Sequence, residues 1–125
     1  MTEAAIKIIA ADMREMGLAY NLDRYTGKAD PYFVGEYQEI EPFTEDGLQE
    51  TTFLITGFSR KGSLVLEEAK GKIRQRYNGV SGKTVITDDG SAVAIFYANA
   101  LIVPTNDAEL KRIQINLKVK EWTVN

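Results

Sequence analysis

Residues 31–77 read PYFVGEYQEIEPFTEDGLQETTFLITGFSRKGSLVLEEAKGKIRQRY, and this stretch decides the fold. Aromatic and β-branched residues predict a first strand from Tyr32 to Ile40, directly after a proline. The turn signal at residues 44–47 leads into a second strand, Thr51–Phe58. We interpret the two strands as an antiparallel hairpin with a long tip, followed by a short turn and a helix.

Both faces of the second strand are partly apolar. Phe53 and Ile55 point to one side, while Leu54 and Phe58 point to the other, because side chains alternate along a strand. A hairpin with apolar side chains on both faces needs other protein segments packed against both of them. We therefore expect it to be buried in the domain or to meet another chain.

Two segments have helical periodicity. Residues 3–17 are predicted to form the first helix, with Thr2 as its N-cap and Gly17 at its C-terminal end. Residues 63–77 form the second helix, for which Ser63 is the expected N-cap. The apolar stripe of the first helix is Ile6, Ile9, Met13 and Met16, and that of the second is Val65, Ala69, Ile73 and Tyr77.

Three more strands follow the second helix. Residues 83–87 lead into the hairpin turn Asp88-Asp89-Gly90, and residues 92–103 form a long apolar strand. The last strand alternates clearly, with Ile113, Ile115, Leu117 and Val119 on its inner side. The pattern predicts one α+β domain over residues 1–125, in the order α–β–β–α–β–β–β. We expect an antiparallel or mixed sheet with both helices packed on one face.

The composition excludes several classes of enzyme. The chain of 125 residues contains no histidine and no cysteine. Ser-His-Asp and Cys-His catalysis are therefore excluded, and zinc sites are disfavoured. The formal net charge of −3 argues against bulk attraction to nucleic acid. We predict a protein that is not an enzyme and that has no catalytic residue, no cofactor and no metal.

Signals for membranes and for secretion are missing from the sequence as well. No apolar run approaches the roughly 20 residues that span a bilayer. The first residues lack the basic start of a signal peptide. We expect a cytosolic product that does not bind membranes.

Three other interpretations of the polar and aromatic residues stay open. Asp88 and Asp89, with Asp107 or Glu109, could hold Mg²⁺ in a small nuclease, although such residues are also typical of hairpin turns. Phe96 and Tyr97 could stack the bases of a single strand. The basic residues of the second helix could contact the phosphates of a nucleic acid; they are Lys70, Lys72, Arg74 and Arg76.

The order of these segments resembles the tail terminator, or tail completion, proteins of long-tailed bacteriophages, a group that includes minor capsid and head–tail joining proteins. The resemblance spans most of the chain and rests on the order of the segments and on their general residue pattern, not on a diagnostic motif. It is carried by Pro31-Tyr32-Phe33-Val34, by the loop Glu41-Pro42-Phe43-Thr44-Glu45-Asp46-Gly47, by the strand and turn of residues 51–62, by Ala69 and Ile73 of the second helix, and by the alternating last strand.

The resemblance implies a structural protein that forms a ring, commonly a hexamer, and caps a completed tail tube at its head-proximal end. The implied partners are copies of itself, the tail-tube protein and the head-completion protein, and DNA would pass through the ring without specific binding. The implied location is the virion, with assembly in the host cytoplasm. A head-completion protein or a tail-tube subunit is the alternative. The predicted interaction residues are Glu41, Phe43, Glu45, Asp46, Glu50, Phe53 and Trp122, and the edge of the last strand is a further candidate.

Overall fold

The computed structural model describes residues 1–40 and 48–123. Within them the chain forms two helices and six strands. The helices are α1 (Glu3–Glu15) and α2 (Ser63–Arg76). The strands are β1 (Ala19–Leu22), β2 (Tyr32–Ile40), β3 (Leu48–Ser59), β4 (Lys83–Ile86), β5 (Ala92–Val103) and β6 (Lys111–Trp122). The class is α+β, as the sequence predicts.

The six strands form one mixed sheet in the order β1-β2-β3-β6-β5-β4. β1 pairs with β2 in parallel, and every other neighbouring pair is antiparallel. The hairpin of β2 and β3 predicted from the sequence is confirmed, with Tyr32 opposite Phe58 and Ile40 opposite Glu50.

Strand β1 is the element that the sequence prediction missed. The order α–β–β–α–β–β–β has no strand between α1 and the hairpin, yet Ala19–Leu22 pairs with the first residues of β2. Four residues are too few to show an alternating pattern. The strand forms because β2 offers an unpaired edge, so the predicted count of five strands is wrong.

The last strand lies at the centre of the sheet. β6 pairs with β3 along its whole length, from Ser59 opposite Lys111 to Leu48 opposite Trp122, and it pairs with β5 on its other side. The prediction that β6 offers a free edge is therefore wrong. Its clear alternation reflects a sheet with two different faces, and that pattern is the same for a central and an edge strand.

The caps of the helices agree with the sequence in part. The hydroxyl of Thr2 accepts a hydrogen bond from the Ala5 amide at 3.2 Å, which confirms the predicted N-cap of α1. Gly17 adopts a positive φ of 75° just after the helix. The predicted N-cap of α2 is wrong: Gly62, with φ 108°, precedes the helix and Ser63 is its first residue.

The core contains most of the apolar stripes of both helices, without Ile6, together with alternate residues of the strands. α1 contributes Ile9 and Met13, and α2 contributes Leu66 and Ile73. The strand residues in this cluster are Phe33, Phe53, Ile55, Val93, Ile95, Ile113, Ile115, Leu117 and Val119. We call the side of the sheet that carries these residues the core face.

Two glycines in the hairpin make room for aromatic rings on the core face. A Cβ at Gly57 would lie 2.5 Å from the ring of Phe33, which is its cross-strand partner. A Cβ at Gly35 would lie 2.7 Å from the ring of Phe53. The rings therefore occupy the space above the glycines, and larger residues at these positions would displace them.

Candidate interaction surface

The side of the sheet opposite to the core face is the outer face, and its residues alternate with those of the core. Along β6 it carries Arg112, Gln114, Asn116, Lys118, Lys120 and Trp122, and along β3 it carries Leu48, Glu50, Thr52, Leu54, Thr56 and Phe58. The centre of this face is polar. Asn116 donates a hydrogen bond to Asn99 at 2.6 Å, and Lys120 lies 3.8 Å from the carboxylate of Glu50.

One end of the outer face is apolar. The strand register places Ile86, Ala92, Trp122 and Leu48 in one row across four strands. Ile86 is 67% exposed and Trp122 is 39% exposed. Large side chains in such a row offer apolar area to a partner, and tryptophan is enriched in the energetically important parts of interfaces.

The opposite end of the outer face carries a stack of aromatic rings. The ring of Tyr32 stacks on Tyr25 at a centroid distance of 5.0 Å and on Phe58 at 5.1 Å. Arg112 is the cross-strand neighbour of Phe58. The stack borders a shallow groove of about 450 Å³ whose lining includes Arg24, Glu36 and Arg112.

The two halves of β5 differ in their pairing. The inner half, Ala92–Ile95, lies between β4 and β6. The outer half, residues 98–103, pairs with β6 from Asn99 onwards, after a register shift at Ala98. Within residues 1–40 and 48–123 no strand pairs with its other side. Leu101 and Ile102 in this half are 48% and 51% exposed. The outer half is thus an open sheet edge with exposed apolar side chains.

The structure separates the residues predicted to make interactions. Phe53 is fully buried in the core cluster, because its side chain points to the core face, so within the described chain it offers no surface to a partner. Glu50 and Trp122 both lie on the outer face, where they can reach a partner. The other predicted residues, Glu41, Phe43, Glu45 and Asp46, lie outside the described residues.

The predicted carboxylate site for Mg²⁺ is not assembled. Asp88 and Asp89 lie in the β4–β5 turn, whereas Asp107 and Glu109 lie beyond the far end of β5. Twelve residues of extended strand separate these turns by roughly 35 Å. In residues 1–40 and 48–123, no group of three or more acidic side chains is placed to bind a metal.

The carboxylates of these two turns serve the turns themselves. Asp89 accepts hydrogen bonds from the Thr87 hydroxyl and from the Ser91 amide, and these bonds lower the pKa of its carboxyl. Asp107 accepts from the Glu109 amide at 3.0 Å and from Arg60 at 2.8 Å, which lowers its pKa as well. Their pattern is that of Asx turns.

The predicted stacking pair Phe96 and Tyr97 is divided between the two faces. Phe96 lies on the outer face, with Lys120 located 5.9 Å from its ring centre, and Tyr97 packs against the core under Arg74. Two neighbouring residues of a strand cannot stack successive bases on one side. The idea of a binder that uses both rings is therefore wrong.

The basic residues of α2 are directed to different partners. Lys70 pairs with Glu67 at 2.5 Å, Lys72 reaches the carbonyl of Met16, and Arg76 pairs with Glu15 at 2.7 Å. The hydrogen bond to Glu15 is the main reason why the pKa of Arg76 is raised. This arrangement gives no single phosphate-binding patch on the helix.

A buried carboxylate that sequence reasoning missed connects the two helices to β4. Asp12 accepts hydrogen bonds from the Tyr77 hydroxyl at 2.6 Å, from Lys83 at 2.6 Å and from Arg76 at 3.0 Å. Burial, and then the bond to Asp12, raises the pKa of Tyr77 far above its usual range. The signal in the sequence was an aspartate between the apolar positions Ile9 and Met13 of α1.

A second buried carboxylate, Glu121, joins the two ends of the described chain. Its oxygens accept hydrogen bonds from the amide and the hydroxyl of Thr2. Thr2 in turn caps α1. Both carboxylates have partners inside the domain, so their geometry indicates a structural role.

The fold has a counterpart among solved structures. It is similar to a chain of a structure described as "Virion of native gene transfer agent (GTA) particle", with a TM-score of 0.64 and 14% sequence identity. The match covers 90% of this chain and 84% of that chain. No family model and no curated protein matches the sequence. At this identity the likeness establishes a shared fold.

The helices carry no signal for membrane insertion. Neither α1 nor α2, the helices of the described residues, is long and apolar enough to cross a bilayer.

Proposed function

We propose that this protein is a structural component of a phage-like virion. The observation that carries the proposal is the likeness in fold to a chain of a gene transfer agent virion over nearly the full length of both chains. The order of segments that resembles tail terminator proteins supports it independently, since that resemblance comes from the residues alone. We take both helices to cover the core face, so that the outer face is left for contacts with other subunits.

Within the virion, the proposed role is that of a tail terminator. In this proposal, copies of the chain form a hexameric ring that closes the head-proximal end of the tail tube and offers a surface to the head-completion protein. A ring requires two different surfaces on each subunit. The open edge at residues 98–103 is a candidate for one of these surfaces, and the apolar row at Trp122 is a candidate for contact with the tail-tube or head-completion protein.

The proposed role needs no catalysis and no bound cofactor. DNA passes through the ring without specific contacts, which agrees with a chain of net charge −3. The protein acts in the host cytoplasm during assembly and then stays in the particle.

Electron microscopy of particles made without this protein tests the proposal directly. A terminator predicts overlong tails or heads that fail to join, and adding the purified protein should restore joined particles. Normal infectious particles formed in its absence would refute the proposal. Purified protein that polymerises into long filaments would instead assign it as a tail-tube subunit, and normal tails with unsealed heads would assign it as a head-completion protein.

A further inference from the structure

Among the described residues, the open edge of β5 is the surface that most clearly lacks a partner. Residues 98–103 read Ala-Asn-Ala-Leu-Ile-Val and contain no charge and no proline. Proteins usually protect free edges with charges, prolines or very short strands, because unpaired backbone groups attract other strands. The edge strands β1 and β4 have only four residues each, and the part of β2 beyond β1 carries the charges of Glu36 and Glu39. In the described part of this edge, the only irregularity is the register shift at Ala98, and the five residues from Asn99 to Val103 stay open. An edge of this kind is typical of a surface that is paired in the assembled protein.

The opposite edge of the same sheet has the properties that a partner needs. β1 has a hydrogen-bonded neighbour, β2, on one side only among the described strands. Its residues, Ala19-Tyr20-Asn21-Leu22, are also uncharged. An uncharged strand can lie against Leu101 and Ile102 without burying an unpaired charge.

The directions of the strands make this pairing antiparallel. β1 runs parallel to β2, and the three steps from β2 through β3 and β6 to β5 are each antiparallel. β1 and β5 therefore run in opposite directions. If a second copy continues the sheet with its faces in the same sense, its β1 meets β5 as an antiparallel neighbour, which is the more stable arrangement.

In this pairing, the outer faces of the two copies also lie on the same side of the continued sheet. The register places Leu101, Gln114, Thr56, Val34 and Asn21 in one row on the outer face. Asn21 of one copy would thus lie on the same face as Leu101 of the next copy. Ile102 and Tyr20 would lie together on the core face.

We propose that residues 98–103 of one subunit pair in antiparallel fashion with β1 of the next subunit, so that the sheet continues from copy to copy. The partner is a second copy of this chain, and the contact is head-to-tail, as a closed ring requires. The inference rests on the proposed self-association, but it does not depend on the position of the ring in the virion. In such a ring the outer faces of all subunits form one continuous surface.

Cysteine cross-linking tests the pairing with little background, because the chain contains no cysteine. The Asn21→Cys change is combined in turn with Asn99→Cys, Leu101→Cys or Val103→Cys, which are successive outer-face positions of β5. The purified proteins are oxidised over a range of concentrations and analysed on non-reducing gels. We expect one combination to give a ladder of covalent oligomers, while each single variant gives none.

The controls separate this contact from others. The double variant with Asn21→Cys and Ile86→Cys probes β4. This strand lies at the same edge of the sheet as the open half of β5, but it runs in the same direction as β1 and not antiparallel to it. That pair should not cross-link. Light scattering of the same samples reports self-association independently of disulfide formation, and circular dichroism confirms that every variant is folded.

The failure of this pairing can be told apart from the failure of the ring. Oligomers seen by light scattering without a ladder in any of the three combinations would refute the strand pairing and leave the ring intact. A covalent dimer formed by Leu101→Cys alone would also refute it, because two copies of the same edge would then meet. A protein that is monomeric at the highest reachable concentration and forms no ladder would refute the strand pairing in the free protein, while the ring is tested by the microscopy of particles made without it.

Discussion

The inner and outer halves of β5 have similar sequences and opposite environments. The inner half, Ala92–Ile95, has strands on both sides, and Val93 and Ile95 are buried in the core. The outer half, residues 98–103, is equally apolar, yet one of its sides has no strand among the described residues and its large side chains are exposed. Hydrophobicity alone therefore does not separate residues that stabilise the fold from residues that are available to a partner.

The largest expected effect comes from the inner half. Ile95 is fully buried, so Ile95→Ala should lower the free energy of unfolding by about 2–5 kcal/mol, through lost burial and the cavity that remains. Urea denaturation measures this change. The matched control is Ile102→Ala in the outer half, which should change it by about 0.5 kcal/mol or less. Equal losses for both variants would show that the two halves are equally packed.

The segment that packs beside the inner half of β5, the connector between α2 and β4 together with β4 itself, is held in place by Asp12. This carboxylate binds Tyr77 and Lys83, which lie at the two ends of the connector between α2 and β4. Asp12→Ala should cost about 2 kcal/mol, less than is usual for a broken buried pair, because Arg76 and Lys83 remain partly exposed to water.

Hydrogen exchange gives a local measure of the same change. The Tyr97 amide donates to the carbonyl of Tyr77 at 2.6 Å, so its exchange should become faster in Asp12→Ala when the connector loosens. The amides of β6 between β3 and β5 serve as the internal reference. Unchanged exchange at Tyr97 together with global destabilisation would argue against a local role of Asp12.

A charge in the outer half should affect assembly and leave folding intact. Leu101→Lys places a lysine on the open edge, and we expect the dissociation constant of self-association to rise about tenfold or more. Analytical ultracentrifugation measures this change. Val80→Lys is the control, because Val80 is 94% exposed in the α2–β4 connector, away from the outer half. Similar weakening by both variants would mean that added charge, and not the edge, is responsible.

The smallest effect concerns the turn that follows the outer half. The Glu109 amide and then Arg60 lower the pKa of Asp107 from its ordinary value of 3.8. Its contribution to stability is therefore complete above pH 3.8 and is lost as the pH falls through the lower pKa of the folded state. Below this pH, the melting temperature of the Asp107→Asn variant should fall slightly less steeply with decreasing pH than that of the unchanged protein. Thermal melts of both proteins between pH 2 and 5, roughly the range of carboxylate titration, measure the difference.

Much of the fold could be predicted from local patterns. The hairpin of β2 and β3, both helices, the Thr2 cap and the turn at Asp88-Asp89-Gly90 are confirmed, because each depends on residues close together in sequence. β1 could not be predicted, since four residues carry too little pattern and its pairing comes from β2. The central place of β6 could not be predicted either, because the strand order depends on contacts between distant segments.

The candidate surface was predicted less well than the fold. Glu50 and Trp122 lie on the outer face as an interaction role requires, whereas Phe53 belongs to the core. The open half of β5 was missed, because its sequence is that of an ordinary buried strand. Its exposure follows from the short length of β4, which begins at Lys83 opposite Ile95 and leaves the later residues of β5 without a neighbour.

The amino-acid pattern alone set the local elements of this protein, since periodicity, caps and turn residues act over a few positions along the chain. It also excluded histidine and cysteine chemistry by composition. Only the tertiary structure decided which of two similar apolar segments is buried, which strand is central and which carboxylates are enclosed. Those outcomes depend on which distant segments pack together, and the free energy of that packing belongs to the whole sheet rather than to any one segment.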